Sequence, residues 1–270
     1  MRAIRLSMLV APLLAALAGA QVIKSDGPKP EFEVATVRPN VSDNTSASLG
    51  PRPGGRLIGT NQTVRSLIRN AFNLQPYQIV GGPGWIGSDR FDIVAKAADA
   101  DLDSKGMMPS GQFMLRLQSL LEDRFHMAAH WETREMPVYA LVASGGRRGP
   151  NLKTHTGDCD SARLGGTAPT VDCGTRTNMS PMSAKMTAVG ISMPVFARNL
   201  SGAAGRSVID KSGLAGTYDF ELEFTPEQSP DTTGPSLFTA MEEQLGLKLE
   251  SQRGPVEVLV IDRVETPTPD

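Results

Sequence analysis

RLIGTNQTVRSLIRNAFNLQPYQIVGGPGWIGSDRFDIVAKA, residues Arg56 to Ala97, sets the reading of the whole chain, because its pattern returns without a gap from Lys185 to Pro226, an offset of 129. Leu57 falls on Met186, Leu67 on Phe196, Arg69 and Asn70 on Arg198 and Asn199, and Ile79 on Val208. Gly84 and Gly87 fall on Gly213 and Gly216, and Phe91 on Phe220. A G-x-x-G turn that feeds an aromatic at fixed distance needs particular backbone angles, so these four glycines are read as equivalent turns and the two phenylalanines as equivalent strand positions. The fold class expected is α/β (α+β), with two tandem modules, each a small mixed sheet carrying two helices.

A chain of 270 residues accommodates two such modules. Residues 1–20 read as a signal peptide: Arg2 and Arg5 precede an apolar run, and Ala18-Gly19-Ala20 is the small-x-small pattern of a cleavage site. The expected location is the periplasm or the exterior, with no stable membrane insertion once the leader is cut after Ala20. Residues 21–55 read as a lead, a strand and a loop, 56–150 as the first module, 151–183 as a linker, 184–266 as the second module and 267–270 as a tail. The formal charge of −2, with both signs scattered, leaves no basic stripe for nucleic acid.

Local patterns fill in the modules. FEVATVRP, from Phe32 to Pro39, alternates as a strand, and the Asn-, Ser-, Gly- and Pro-rich residues from Asn40 to Gly55 read as an exposed loop. Thr63 is a candidate cap for a helix whose stripe is Val64, Leu67, Ile68, Ala71 and Phe72. A second helix follows Ser110, with Phe113, Met114, Leu117, Leu120 and Leu121 as its inner face. Met136-Pro137 and Gly254-Pro255 read as hairpin turns, and LFTAMEEQL, behind Ser236 and stopped by Gly246, as the last helix.

Cys159 and Cys173 are the only cysteines. Export would place them in an oxidising compartment, and the expected outcome is a disulfide, worth roughly 3 kcal/mol for a loop of about 15 residues. His155, in the same segment, has no further metal ligands near it in sequence.

FEVATVRPN, GGRLIGTNQTVRSLI, IVGGPGWIGSDRFDIVAKA, ETREMPVYALVA, VIDKSGLAGTYDFELEFTP and LFTAMEEQLGLKLESQRGPVEVLVIDRVE together resemble a large soil-bacterial family of exported proteins whose function is uncharacterised. The helix-strand units are similar, more distantly, to the short N-terminal domain of secretins and TonB-dependent receptors, which implies protein contacts in the envelope. Relatives found beside membrane metallopeptidases imply a further possibility, a sensor domain.

Other constellations carry little chemistry. GPGWIG, residues 82–87, fits G-x-G-x-x-G, but strand-like alternation follows it where a dinucleotide site needs a helix, so no cofactor is expected. His126 and His130, with Glu132 and Glu135, suggest a metal set; in a strand the two histidines stand roughly 13 Å apart, too far for one zinc, and no metal site is expected. Glu221 with Glu223 and Glu242 with Glu243 read as solvated faces. No nucleophile elbow is present, and no catalytic residue is assigned. Trp85, Arg90 and Tyr218 form a candidate binding surface. The expected function is an exported, non-enzymatic protein that binds an envelope protein or small ligand; the alternative is a hydrolase acting on wall or extracellular polymer.

Overall fold

The computed structural model describes residues 29–43, 46–104, 106–145, 148–157, 159, 173–227 and 234–267. The expected leader, residues 1–20, and the end of the expected tail lie outside the described residues. In chain order the elements are β1 (Val34–Pro39), β2 (Ser48–Arg52), β3 (Arg56–Gln62), α1 (Val64–Phe72), β4 (Ile79–Gly81), β5 (Phe91–Lys96), α2 (Ser110–Arg124) and β6 (Ala128–Ala143). They continue as β7 (Lys153–Thr154), β8 (Gly174–Met179), β9 (Ala184–Ser192), α3 (Met193–Ala204), β10 (Val208–Asp210), β11 (Thr217–Phe224), α4 (Leu237–Ala240, extended by a wider turn Met241–Leu245) and β12 (Leu247–Arg263). The fold is α+β.

The strands form three sheets rather than one per half. An outer sheet has the order β1-β5-β3-β2, a second outer sheet β7-β11-β9-β8, and between them a central sheet runs β10-β6-β12-β4. Position by position the outer sheets have the same plan. The central sheet draws on both halves: β6 and β12 form one long antiparallel ladder, β4 lies parallel to β12, and β10 lies parallel to β6.

Each outer sheet and one end of the central sheet close on a pair of helices. The first core joins Val37, Leu57, Phe91 and Ile93 to Leu67, Ile68, Leu117 and Leu121 of the helices, and to Leu259, Ile261 and half-buried Trp131 of the central sheet. The second joins Met186, Phe220 and Leu222 to Phe196, Leu200, Leu237 and Met241, and to Leu141 and Leu247. Val138, Val256 and Val258 make a third, smaller core under Tyr77, Val80 and Ile209, where the halves meet. There the Tyr77 hydroxyl lies 3.2 Å from Ser207 Oγ, and burial pushes its pKa up against the opposing hydrogen bonds of Ser207 and Ser201.

Thr63 caps α1 by accepting the Ser66 N–H at 3.1 Å, and Ser236 caps α4 through Thr239 N–H. On α2 the buried face also includes Arg116, Gln118 and Ser119. Arg116 donates to the Glu31 carbonyl and pairs with Asp101, and Ser119 donates to the Pro30 carbonyl, so residues 30 and 31 of the expected lead are strapped across the helix.

Several sequence expectations are corrected. The loop expected from Asn40 to Gly55 contains β2, which pairs with β3 through a turn at Gly54 and Gly55, both at positive φ; as the edge strand, β2 tolerates Gly50 and Pro51. The linker expected over residues 151–183 likewise supplies β7 and β8 to the second outer sheet. Met136-Pro137 and Gly254-Pro255 are not turns but the middle of unbroken strands.

The two glycine pairs also differ. Gly213 and Gly216 have φ +69 and +90, whereas Gly84–Gly87 form a single 3-10 turn and the positive φ values fall earlier, at Gly81 and Gly82. The first turn is longer by two residues, and the ladders record it. β3 reaches β5 as Gly59↔Ile93 and Gln62↔Phe91, while β9 reaches β11 as Ala188↔Phe220 and Ile191↔Tyr218. Phe91 therefore corresponds to Tyr218, not Phe220, and Asp92 corresponds to Asp219.

Candidate functional site

The disulfide Cys159–Cys173, with Cα atoms 5.7 Å apart, sits against the second outer sheet where β7 ends and β9 bulges. β7 runs antiparallel to β11, pairing Lys153 with Asp219 and Thr154 with Tyr218; the next residue, His155, donates its N–H to the Thr217 carbonyl, and its side chain reaches diagonally to Asp219. His155 Nδ1 is 2.7 Å from Asp219 Oδ1, and its Nε2 is 3.4 Å from Cys159 Sγ. The imidazole is 6% exposed. A carboxylate only accepts, and Asp219 Oδ1 also takes the Gly190 N–H at 2.8 Å, so Nδ1 carries a hydrogen and Nε2 is the nitrogen turned to sulfur.

Gly190 makes this approach possible. It is the bulged residue of β9, at φ +63, and a Cβ placed there would lie 2.1 Å from Cys159 Sγ. Asn61, which stands at the same place in β3, has φ 56, and its N–H donates to Asp92 Oδ1 at 2.9 Å. Asn40, following β1 as His155 follows β7, donates through Nδ2 to the same Asp92 oxygen at 2.8 Å. Both outer sheets thus carry an aspartate that ties a left-handed bulge to the end of an edge strand. In the first it holds an amide; in the second it holds an imidazole against a sulfur.

The other residues singled out from the sequence, beyond the two cysteines and His155, fall elsewhere. Trp85 packs edge-on against Phe91 on the first core, and Arg90 donates to the Asn61 carbonyl at 3.3 Å. Tyr218 belongs to the second core and is 1% exposed, its hydroxyl donating to the Ala215 carbonyl and its ring covered by the Arg148 guanidinium. These three do not form one surface. Gly84, Gly87, Gly213 and Gly216 shape the turns described above.

His126 pairs with Glu265 at 3.4 Å and His130 with Asp262 at 2.9 Å, each exposed and each with its own carboxylate. Glu132 is held by Arg134, whose hydrogen bond keeps its carboxyl below the usual range. Glu221 and Glu223 clasp Lys185, at 3.1 and 2.9 Å, and their hydrogen bonds raise the lysine pKa. The cation between those glutamates is thus the protein's own. His155, Cys159 and Cys173 place their ligand atoms within 4.8 Å of one another, but both sulfurs are spent on the disulfide and cannot act as thiolate ligands.

Asp219 and Gly190 were not recognisable as partners of His155 in the sequence, since they lie 64 and 35 residues away. Among the described residues no helix is long and apolar enough to cross a membrane. No curated protein and no solved structure matches the chain. Residues 65–264, from α1 to just past β12, match the family described as "Protein of unknown function (DUF3738)", and the chain belongs to that family.

Proposed function

We propose that the protein is an exported, non-enzymatic binding protein of the envelope, which takes an extended segment of a partner protein onto the central sheet. The observation that carries this reading is the open outer side of the β6–β12 ladder. β10 covers β6 only at Tyr139–Leu141, and β4 covers β12 only at Leu259–Ile261. Ser144 donates to Gly246, so hydrogen-bonded pairs fall on even residues of β6, and the odd residues point their N–H groups outward. The outward N–H groups of Thr133, Leu249 and Ser251 have no strand partner among the described residues. Such an edge offers main-chain donors and acceptors to an added strand.

The remaining parts of the reading fit with it. The disulfide suits an oxidising compartment, as a leader cleaved after Ala20 implies. The matching plans of the outer sheets support one unit used twice. The similarity of the helix-strand units to the short N-terminal domain of secretins and TonB-dependent receptors points to a protein partner.

The test places a photocrosslinking residue at Thr133 or Ser251 in the exported protein, with Val94 on the first outer sheet as control. Crosslinks to one envelope protein are expected from the two edge positions and not from Val94; their absence from both edge positions would overturn the reading. Turnover of a wall, ester or peptide substrate that disappears on replacing one polar residue, with the fold retained, would instead establish the hydrolase.

A further inference from the structure

The first outer sheet shows what the aspartate-and-bulge arrangement needs for structure alone: Asn40, Asn61 and Asp92 complete it with an amide. The second sheet keeps the aspartate and the bulge, but substitutes a buried imidazole for the amide and a glycine for Asn61, and so brings Cys159 Sγ to 3.4 Å from Nε2. Neither change is required to tie the strand to the bulge. What they add is a proton carrier touching one of the two sulfurs of a disulfide.

We infer that Cys159–Cys173 is an exchangeable redox couple, reduced by a dithiol, with Cys173 as the sulfur attacked, Cys159 as the sulfur released and His155 as the catalytic proton donor. In the step, a thiolate of the incoming dithiol attacks Cys173 Sγ and forms a mixed disulfide with it. The Cys159–Cys173 bond breaks, and its electron pair leaves on Cys159 Sγ. That sulfur takes the proton from Nε2 of protonated His155, while Nδ1–H stays on Asp219 Oδ1. The second thiol of the dithiol then displaces Cys173, leaving a cyclic disulfide and two protein thiols. Two electrons pass from the dithiol to the protein. Run backwards, neutral Nε2 takes the proton from the Cys159 thiol, and the thiolate closes the bridge again. Asp219 is a positioning residue: it fixes the tautomer that presents Nε2 to sulfur.

This inference concerns a site apart from the sheet edge and does not depend on partner binding. The experiment follows reduction of the intact, folded protein by dithiothreitol, quenched with iodoacetamide and read by peptide mass. His155→Gln should slow reduction on the order of a hundredfold, the lower end of a general acid's contribution. His155→Ala should be slowed likewise and recover in part with added imidazole. Unchanged or faster reduction of both variants would overturn the proposal, because it would leave His155 a packing residue. A second measurement needs no variant: with glutathione as a monothiol, the trapped mixed disulfide should lie on Cys173 and the alkylated free thiol be Cys159. The reverse assignment would overturn the direction of release even if the variants fail to fold.

Discussion

Met136 faces Gly254 at the centre of the β6–β12 ladder, and each stands immediately before a proline, Pro137 and Pro255. A half-turn about this pair lays MPV on GPV. Pro137 faces Arg253, Pro255 faces Glu135, and the Arg253 guanidinium donates to the Glu135 carbonyl at 2.6 Å. Because odd residues point their N–H groups outward, the donor each proline lacks is one that the ladder would not have used. Two residues that ordinarily break strands thus sit mid-strand without loss of pairing.

Gly254 is packed as well as paired. An added Cβ would lie 3.2 Å from both Ile209 Cδ1 and Val138 Cγ2. Gly254→Val should destabilise the protein by about 1–3 kcal/mol through overpacking, read as a lower urea midpoint. An unchanged midpoint would show that the third core can yield.

The aromatic residues of the outer sheets should dominate stability. Phe91 lies edge-on to Phe125 at 5.4 Å, and Phe220 is tilted on Phe196 at 4.5 Å. Replacing either by alanine is expected to cost about 3–5 kcal/mol. His130→Ala, at an exposed contact with Asp262, and Glu221→Ala, at an exposed ion pair with Lys185, should stay within about 0.5 kcal/mol in the same unfolding experiment.

Gly190→Ala tests the contact beneath the disulfide. A methyl at that position overlaps Cys159 Sγ, on a backbone at φ +63. Wild-type protein should bind maleimide only after a reductant is added, whereas the variant should show reactive thiols without one. Removing the bridge by Cys159→Ser with Cys173→Ser should cost roughly 3 kcal/mol, measured by thermal or urea unfolding.

Tyr77 gives an alkaline dependence with a defined sign. Its folded pKa is raised, chiefly by burial, above that of an unfolded tyrosine near 10. The folded state holds the proton more tightly, so this contribution is complete below about pH 10 and is lost as pH climbs through the folded value. Tyr77→Phe should cost about 0.5–1.5 kcal/mol at pH 8, for the lost hydrogen bond to Ser207, and the gap to wild type should shrink above pH 10. A gap that stays constant with pH would mean that the hydroxyl titrates as it does in the unfolded chain.

Much of the fold was legible where one element's own side chains decide its form. The stripe from Val64 to Phe72 and the cap at Thr63 specify α1 locally, and the alternation from Val34 to Pro39 specifies β1. β2 was hidden because Gly50 and Pro51 are unfavourable in a strand unless it lies at an edge, which only its neighbours determine. β6 and β12 were each divided at a proline for the same reason: whether a missing N–H matters depends on the strand outside it. The offset of 129 holds from β3 through α1, then fails by two residues in the turn before β11, and a gapless comparison carried that slip onto Phe220.

The candidate site was less legible still. His155, Asp219 and Gly190 come together through the pairing of β7, β11 and β9, and no local spacing announces it. One signal was present in the sequence: a histidine four residues before a cysteine in a segment otherwise poor in side chains that build a core.

The central ladder also imposes an order on how the protein comes into being. β6 is complete at Ala143, but its partner along the whole length, β12, begins only at Leu247. As the chain is synthesised, the first outer sheet and its helices can gather while one end of their core, at Leu259 and Ile261, has yet to be made. For that interval β6 presents both edges to whatever strands are near, its own later ones or those of another copy. Contacts so far apart in sequence close slowly, which makes the waiting time, rather than the final stability, the stage at which this protein is most exposed to mispairing.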